Sequence, residues 1–236
     1  MKPVRQKLLS VYIGYDGVEP VSWHAMAHSL LINSSLPLSI IPLNLSNLKA
    51  VYNRPRDPRQ SNDFSFTRFL VPYLSDFSGT AVYFDCDMIM RVDIADLINE
   101  SDIQNYSVCV VKHDYEPRNS IKYLNNIQYS YPRKNWSSVI VWNCNHKSNL
   151  ILTPEFVNKS EASTLHSFAW LKDNEIGDLD IRWNWLVGEY SNPPKDVKNI
   201  HWTLGGPYFN EYKDVDFSDE WYAVYKKMIY CKQKKE

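Results

Sequence analysis

The sequence is poor in glycine, carries almost no net charge and lacks a long apolar run. Seven glycines in 236 residues, with no GxGxxG or GxxxxGKS string, argue against the glycine-rich loops that cradle phosphates. A formal net charge of -1 argues against a general nucleic-acid-binding protein, which presents a basic surface. The N-terminal segment is basic, but only a short apolar run follows it. It therefore predicts neither a signal peptide nor a membrane span, and we expect a cytoplasmic protein.

Cysteine is also scarce, and its spacing argues against a zinc site. The four cysteines are Cys86, Cys109, Cys144 and Cys231. None of them forms a CxxC pair. Three lie within or beside apolar runs, as small buried residues do, which indicates a reducing compartment.

Aromatic residues, in contrast, are abundant, with 16 Tyr and 8 Trp. They fit a heavy hydrophobic core. They also fit carbohydrate contact, because flat rings pack on the apolar faces of sugars while their polar groups reach hydroxyls. Both interpretations stay open at this point.

Lysine is concentrated near the C-terminus. The cluster consists of Lys226, Lys227, Lys232, Lys234 and Lys235. Most such runs are solvated tails, and a minority rest on acidic lipid surfaces. The tail therefore raises the alternative of a peripheral contact with the inner face of a membrane.

Apolar runs of strand length alternate with segments of helical spacing. Strands are predicted at residues 8–13, 38–43, 80–84, 106–111 and 139–142, and helices from Pro20, at 65–74, at 94–98 and at 221–228. Pro37 and Pro42 favour an edge position for the second strand. Residues 46–63 form a polar, proline-broken stretch that is long enough to be a functional loop. This alternation predicts an α/β sheet covered on both faces.

Two acids, Asp85 and Asp87, follow directly after the apolar strand that ends at Phe84. Ligands collect outside the carboxyl ends of strands in open α/β sheets, so these side chains are expected to face a crevice. Carboxylate oxygens suit Mg²⁺ or Mn²⁺, which keep positions free for phosphate oxygens. In the alternative interpretation, Asp85 only shapes a turn and Asp87 only caps the next segment.

Four separated stretches, taken together, resemble the retaining glycosyltransferases of family 8, the group that includes glycogenin and the lipopolysaccharide galactosyltransferases. The stretches are VYIGYD at 11–16, FSFTRFL at 64–70, YFDCD at 83–87 and HWTLGGPY at 201–208. They span nearly the whole chain. Their order and spacing carry the resemblance, because each motif alone is weak.

The resemblance implies a GT-A fold, a Rossmann-like mixed α/β sheet flanked by helices. It implies one domain, with a nucleotide-sugar half at about 1–115 and an acceptor-side half at about 116–236. A UDP-sugar is the implied donor, a glycan or glycolipid the acceptor, and Mn²⁺ or Mg²⁺ the metal. The implied metal ligands are Asp85, Asp87 and His201, and the implied donor-binding residues are Tyr12, Gly14, Asp16, Arg68, Asp85, Gly205 and Gly206.

Each of these assignments has a plainer alternative from the residues themselves. Asp16 could shape only a turn, and His201 could be a satisfied core histidine beside Trp202. Arg68 could form an ordinary salt bridge, although a guanidinium fork suits phosphate and sugar hydroxyls.

The sequence also departs from the family pattern. Gly206 stands where the family has a lysine before Pro-Trp. Stabilisation of the negative charge on the leaving diphosphate must then rest more on the metal, Arg68 or backbone N–H groups of the Gly205–Gly206 turn. The family's Asp-Gln pair is not evident. The stretch around His166 occupies its place, and Asp178 and Asp180 follow. The residue beneath the anomeric carbon is therefore not placed.

Three residues are candidates for the catalytic step. They are Asp114, His166 and Asp180. Asp114 follows a strand and could hold hydroxyls of the donor sugar, or it could be a loop acid. The expected reaction is retaining transfer of a hexose. The alternatives are a degenerate module that binds a nucleotide sugar or glycan without turnover and, less favoured, a HAD-type phosphatase with Asp85 as nucleophile. The oligomeric state is left open.

Overall fold

The structure is a computed structural model that describes residues 8–57 and 60–230. Most of the lysine-rich tail, including Lys232, Lys234 and Lys235, lies outside the described residues, as do Cys231 and the N-terminal segment. The strands are β1 (Leu9–Gly14), β2 (Leu38–Leu43), β3 (Thr80–Phe84), β4 (Met88–Met90), β5 (Val108–Val110), β6 (Ile121–Lys122), β7 (Asn126–Ile127), β8 (Val139–Asn143), β9 (Ile176–Asp178), β10 (Trp185–Leu186) and β11 (Asn199–His201). The α-helices are α1 (Pro20–Asn33), α2 (Val71–Leu74), α3 (Ile94–Ser101), α4 (Pro154–Lys159), α5 (Ala162–His166) and α6 (Ser218–Ile229).

The centre of the fold is a six-stranded mixed sheet with the order β2-β1-β3-β8-β5-β9. Strand β1 runs parallel to β2 and β3, whereas β8 runs antiparallel to both β3 and β5. The helices flank this sheet, so the predicted α/β class is confirmed. The predicted edge position of the second strand is also confirmed, because β2 ends the sheet and exposes Pro42.

Strand β3 brings the two acids to the edge of the sheet. Its residues Ala81 to Phe84 are fully buried in the main hydrophobic core, as expected for a strand covered on both faces. Ile13 of β1 is in register with Phe84. The turn after β1 therefore leaves the sheet beside the point where the chain enters Asp85.

A second, three-stranded sheet was not predicted. Its order is β10-β11-β4, and β4 and β11 are antiparallel with Met88 opposite His201. The backbone N–H of Trp202 donates to the carbonyl of Asp87 at 2.9 Å. This small sheet brings His201 next to the acids, although they are distant in the sequence.

The segment predicted as one helix at residues 65–74 is divided into two short pieces. A 3-10 turn at Thr67–Leu70 is followed by the single α-helical turn α2. Pro72 has no N–H to donate to the carbonyl of Arg68, which prevents a continuous α-helix here. In the part of the chain that the structure describes, every helix is too short or too polar to cross a membrane.

Candidate metal and donor site

The carboxylate of Asp85 is held in one orientation at the carboxyl end of β3. Its Oδ1 accepts a hydrogen bond from the hydroxyl of Tyr83 at 2.6 Å and lies 2.9 Å from Nη1 of Arg68. Arg68 also donates to the carbonyl of Ser137 at 2.7 Å. Burial raises the pKa of Asp85, and the guanidinium of Arg68 acts in the opposite direction. Asp85 is therefore a fixed oxygen ligand rather than a mobile surface acid.

His201 is fixed by its neighbours in a single tautomer. Its Nδ1 lies 2.9 Å from Oδ1 of Asn184. The amide nitrogen of Asn184 donates to Oγ of Ser138 at 2.7 Å, so the amide oxygen is the atom that faces His201. Nδ1 must then carry the proton. In the neutral imidazole the lone pair is then on Nε2, which is the arrangement of a metal-binding histidine whose other ring nitrogen donates to a neighbouring side chain.

The lone pair of His201 faces a second acceptor. Nε2 of His201 lies 3.3 Å from Oδ1 of Asp87. That oxygen is buried and has no hydrogen-bond donor among the described residues. Two buried acceptors facing each other are unfavourable unless a proton on Nε2 or a metal ion lies between them. The donor set of Asp85, Asp87 and His201, whose ligand atoms lie within 4.8 Å of one another, therefore fits a divalent metal ion.

These three residues lie at the base of a cleft of about 530 Å³. Of the sequence-predicted site residues, Arg68, Asp85, Asp87, His166 and His201 line it together. Its other wall is formed by the hairpin segment, defined here as residues 118–135, which contains β6 and β7. The cleft is large enough for a nucleotide or a sugar of similar size.

His166 lies in the cleft as a neutral imidazole. Burial, followed by the nearby charge of Arg68, lowers the pKa of His166 to about 3. Its Nδ1 is 3.0 Å from Oγ of Ser137, and its ring packs near Phe66 and Phe69. A ring of this kind can exchange hydrogen bonds with a ligand but cannot serve as a cationic acid at neutral pH.

The other two catalytic candidates are not brought to the cleft. Asp114 is exposed beyond the end of β5 and is not among the residues that line it. Asp180 lies at the start of a 3-10 turn, where its Oδ1 accepts from the backbone N–H and the Nε of Arg182. Asp180 is therefore engaged as a local cap and ion-pair partner.

Tyr12 and Asp16 also lie outside the cleft. The hydroxyl of Tyr12 is 3.0 Å from Oγ of Ser75 in the part-buried interior. The oxygens of Asp16 accept from the backbone N–H groups of Val18 at 2.9 Å and Asp63 at 3.0 Å. These contacts of Asp16 are those of a residue that shapes a turn. The nucleotide-binding roles of Tyr12 and Asp16 stay predictions.

The three predicted glycines have packing roles. A Cβ on Gly14 would approach Cγ of Phe64 to 2.4 Å. Gly205 has a φ of +148°, and a Cβ there would meet the ring of Tyr212 at 2.7 Å. The N–H of Gly205 donates to the carbonyl of Trp202 at 2.9 Å. That N–H is therefore already used, and a phosphate contact of the Gly206 N–H stays a prediction.

Sequence reasoning missed two charged residues near the acids. Glu19, which precedes the predicted Pro20 helix, is buried and accepts a hydrogen bond from the hydroxyl of Tyr208. Burial and the charge of Asp87 raise the pKa of Glu19 to about 8. Lys122 lines the cleft from the hairpin segment. The signal for Glu19 in the sequence is weak: it is an acid directly before a helix, and only the structure shows that its side chain does not cap that helix. No local pattern in the sequence marks Lys122.

Comparison with known proteins agrees with this architecture. No family model matches the sequence. The chain is 40% identical over 222 residues to Protein CDI of Arabidopsis thaliana, covering 92% of this chain and 85% of that protein.

Solved structures of glycosyltransferases have the same fold at low sequence identity. The bifunctional glycosyltransferase WbbM superposes with a TM-score of 0.64 at 16% identity, covering 96% of this chain and 52% of WbbM. The galactosyltransferase LgtC, solved with donor and acceptor sugar analogs, gives 0.59 at 10% identity and covers 95% of this chain and 98% of LgtC. GlyE of Streptococcus pneumoniae TIGR4 gives 0.61 at 13% identity, covering 95% of this chain and 61% of GlyE. The chain thus spans about half of WbbM and about three fifths of GlyE.

These similarities confirm the predicted GT-A fold. The identity to the plant protein extends over almost the whole chain, and it is that relation which places this chain in the same family as Protein CDI of Arabidopsis thaliana.

Proposed function

We propose that this protein is a metal-dependent retaining glycosyltransferase that moves a hexose from a UDP-sugar to a glycan or glycolipid acceptor. The observation that carries the proposal is the pair of facing acceptors, Oδ1 of Asp87 and Nε2 of His201, at the base of the cleft. The GT-A fold supports it, because the superposed enzymes are glycosyltransferases. We further propose a single domain, with the donor bound by residues before about 115 and the acceptor by residues after it.

Asp85, Asp87 and His201 would hold Mn²⁺ or Mg²⁺ in this proposal. When bound there, the ion supplies positive charge that stabilises a diphosphate as a leaving group. The protein prepares the ligands in advance. Arg68 and Tyr83 fix Asp85, and Asn184 fixes the tautomer of His201. These supports reduce the reorganisation that binding and reaction would otherwise require.

The rest of the cleft would orient the sugar. His166 and Ser137 present hydrogen-bonding groups close to Arg68, which suits the hydroxyls of a hexose. The ring of Tyr131 packs near His166 and narrows this side of the cleft. Attack of the acceptor hydroxyl on the same face of the sugar, which gives retention, rests on the family resemblance alone.

The test is a panel of UDP, GDP, CMP and their sugars in a thermal-shift assay, with and without Mn²⁺. We expect UDP and UDP-hexoses to raise the melting temperature only when Mn²⁺ is present. A release assay then separates turnover from binding, because an active enzyme frees UDP by transfer or slow hydrolysis. Stabilisation without any release would support the non-catalytic module instead. Failure of every nucleotide to stabilise the protein would contradict the proposal.

A peripheral contact with the inner membrane face, in a protein of the cytoplasm, remains part of the proposal. Lys226 and Lys227 are in the last turns of α6, and the rest of the lysine cluster follows in sequence. The measurement is sedimentation with anionic liposomes at low salt. Lys226→Glu combined with Lys227→Glu should reduce it, and equal sedimentation with neutral liposomes would contradict the idea.

A further inference from the structure

We propose that Lys122, carried into the cleft by the hairpin segment, binds the diphosphate of the donor. This inference rests on the proposed function, because it concerns the same cleft. It adds Lys122 to the groups that the sequence suggested for this role, which are the Gly205–Gly206 turn and Arg68.

The position of Lys122 is set by contacts of the next residue. The backbone N–H of Tyr123 donates to the carbonyl of Leu204 at 2.8 Å. The ring of Tyr123 stacks on Phe209, with centroids 5.1 Å apart and planes inclined by 19°. The hairpin segment is thus docked on the stretch that follows His201. Lys122 lines the same cleft as Asp85, Asp87 and His201.

Of the described residues that line this cleft, three are cations, and two of them already have acceptors. Arg68 is bound to Asp85 and to the carbonyl of Ser137 through Nη1, while its Nε is buried without an acceptor in the described part of the chain. The ammonium of Lys134 donates to the carbonyl of Tyr129 at 2.7 Å. Among the described residues, the ammonium of Lys122 has no hydrogen-bond acceptor and no ion-pair partner. Of these three described cations, Lys122 is therefore the one whose charged group is not held by any acceptor.

Lys122 is also surrounded by acids at longer range. Burial lowers its pKa, whereas the charges of Asp87, Asp85 and Glu19 raise it. Lys122 could therefore act only to offset these carboxylates. The two interpretations differ once a divalent ion is bound, because the ion itself then offsets the carboxylates. Lys122 would then keep an unpaired positive charge in the same cleft, available to the oxygens of a diphosphate.

The experiment compares Lys122→Met and Lys122→Arg with the wild-type protein. Lys147→Met is the control, because Lys147 is exposed and is not among the residues that line the cleft. Affinities for UDP and, by competition, for uridine are measured by calorimetry in excess Mn²⁺. Mn²⁺ affinity is measured separately without nucleotide. Melting temperatures show that each variant is folded, and Lys122→Gln replaces the methionine variant if that one is not.

We expect Lys122→Met to weaken UDP binding about tenfold or more, the usual effect of losing a charged hydrogen bond, and to leave uridine binding unchanged. Lys122→Arg should recover most of the loss, and Lys147→Met should match the wild type. Unchanged UDP affinity, or an equal loss for uridine, would overturn the inference. So would tighter Mn²⁺ binding with an unchanged ratio of UDP to uridine affinity, which is the result expected if Lys122 only offsets the acids.

The same data separate this inference from the proposed function. If wild-type protein binds UDP with Mn²⁺ and Lys122→Met binds it equally well, only the role of Lys122 is lost. If wild-type protein binds no nucleotide in the presence of Mn²⁺, the proposed function is lost and the role of Lys122 with it.

Discussion

The two walls of the cleft are built in different ways. One wall, called the metal wall here for its proposed role, holds Asp85, Asp87 and His201 at the ends of β3, β4 and β11, where neighbouring strands are buried and paired along their length. The hairpin segment has two strands of only two residues each. It exposes large apolar side chains, and four of its residues have positive φ. These four are Leu124, Asn125, Arg133 and Asn135.

This difference separates two tasks. A metal site needs ligands held within a few tenths of an ångström, and buried strands provide that precision. A wall that admits and retains a ligand needs to open, and segments with few buried apolar contacts open most readily. Residues 118–128 of the hairpin segment are attached to the rest of the protein mainly through contacts of Tyr123 and through Glu189. The other end of the segment is fixed by hydrogen bonds of Arg133 and Asn135. The following predictions test this contrast between the walls.

The largest effect is expected in the metal wall, from Asp87→Asn. The amide keeps the size of the side chain but removes the charge that faces Nε2 of His201. Loss of metal charge stabilisation is worth several kcal/mol, so turnover should fall by a factor on the order of a hundred or more. The measurements are UDP release in Mn²⁺ and Mn²⁺ affinity by calorimetry.

Asp96→Asn is the matched control, because Asp96 is an exposed acid in the first turn of α3. It should bind Mn²⁺ and turn over like the wild type. Wild-type turnover of Asp87→Asn in a metal-supplemented assay would remove the metal role of that residue.

The metal wall was also the part that the sequence made predictable. An apolar strand followed at once by Asp85 and Asp87 is a local signal, and the resemblance added His201. The small sheet that joins them was not predictable, because strands of two or three residues show no periodicity.

The hairpin segment was not predictable for a different reason. The place of Lys122 depends on long-range contacts of Tyr123 with Leu204 and Phe209, which no local pattern encodes. Asp114 and Asp180 show the reverse case, since neither lines the cleft and their catalytic roles stay predictions. Strand ends and loops in the sequence suggested a site, but only the three-dimensional arrangement decides which acids face the cleft.

The second-largest effect is expected on the pH dependence of the free energy of unfolding, through the buried acid Glu19. In the folded protein the pKa of Glu19 is raised from 4.5 to about 8, first by burial and then by Asp87. Between these values the folded state binds more protons than the unfolded state, so the free energy of unfolding should fall as the pH rises. The slope is at most about 1.4 kcal/mol per pH unit. Glu19→Gln should flatten it, because the amide stays neutral.

Urea denaturation at several values between about pH 5 and about pH 8, with chelator present, measures this slope. Glu211→Gln, at an exposed acid, should keep the wild-type slope. An unchanged slope in Glu19→Gln would show that the titration belongs to another group of the acid cluster.

A smaller effect is expected where the walls meet, at Gly205. A Cβ there would lie 2.7 Å from Tyr212 and 3.0 Å from the Cβ of Tyr123, at a φ of +148°. Gly205→Ala should destabilise the fold by about 1–3 kcal/mol, the cost of holding a residue in a sparsely populated conformation. Gly17→Ala is the matched control, since no atom lies within 4 Å of a Cβ at Gly17. Equal thermal melting of the two variants would contradict a close contact between the walls.

The smallest effect is expected in the hairpin segment alone, from Glu189→Gln. The carboxylate of Glu189 is buried and accepts from the N–H of Arg118 at 3.0 Å and from the amide of Gln128 at 2.7 Å. An amide keeps the shape but presents one donor in place of an acceptor. Either one of these bonds is lost, or Gln128 rotates to accept and gives up its bond to the carbonyl of Asn119. We expect faster hydrogen exchange in residues 118–128 and unchanged exchange in β3, because local opening of a weakly attached segment need not involve the buried strands. Faster exchange in both walls would show that they open as one unit, and the division of tasks between them would then be wrong.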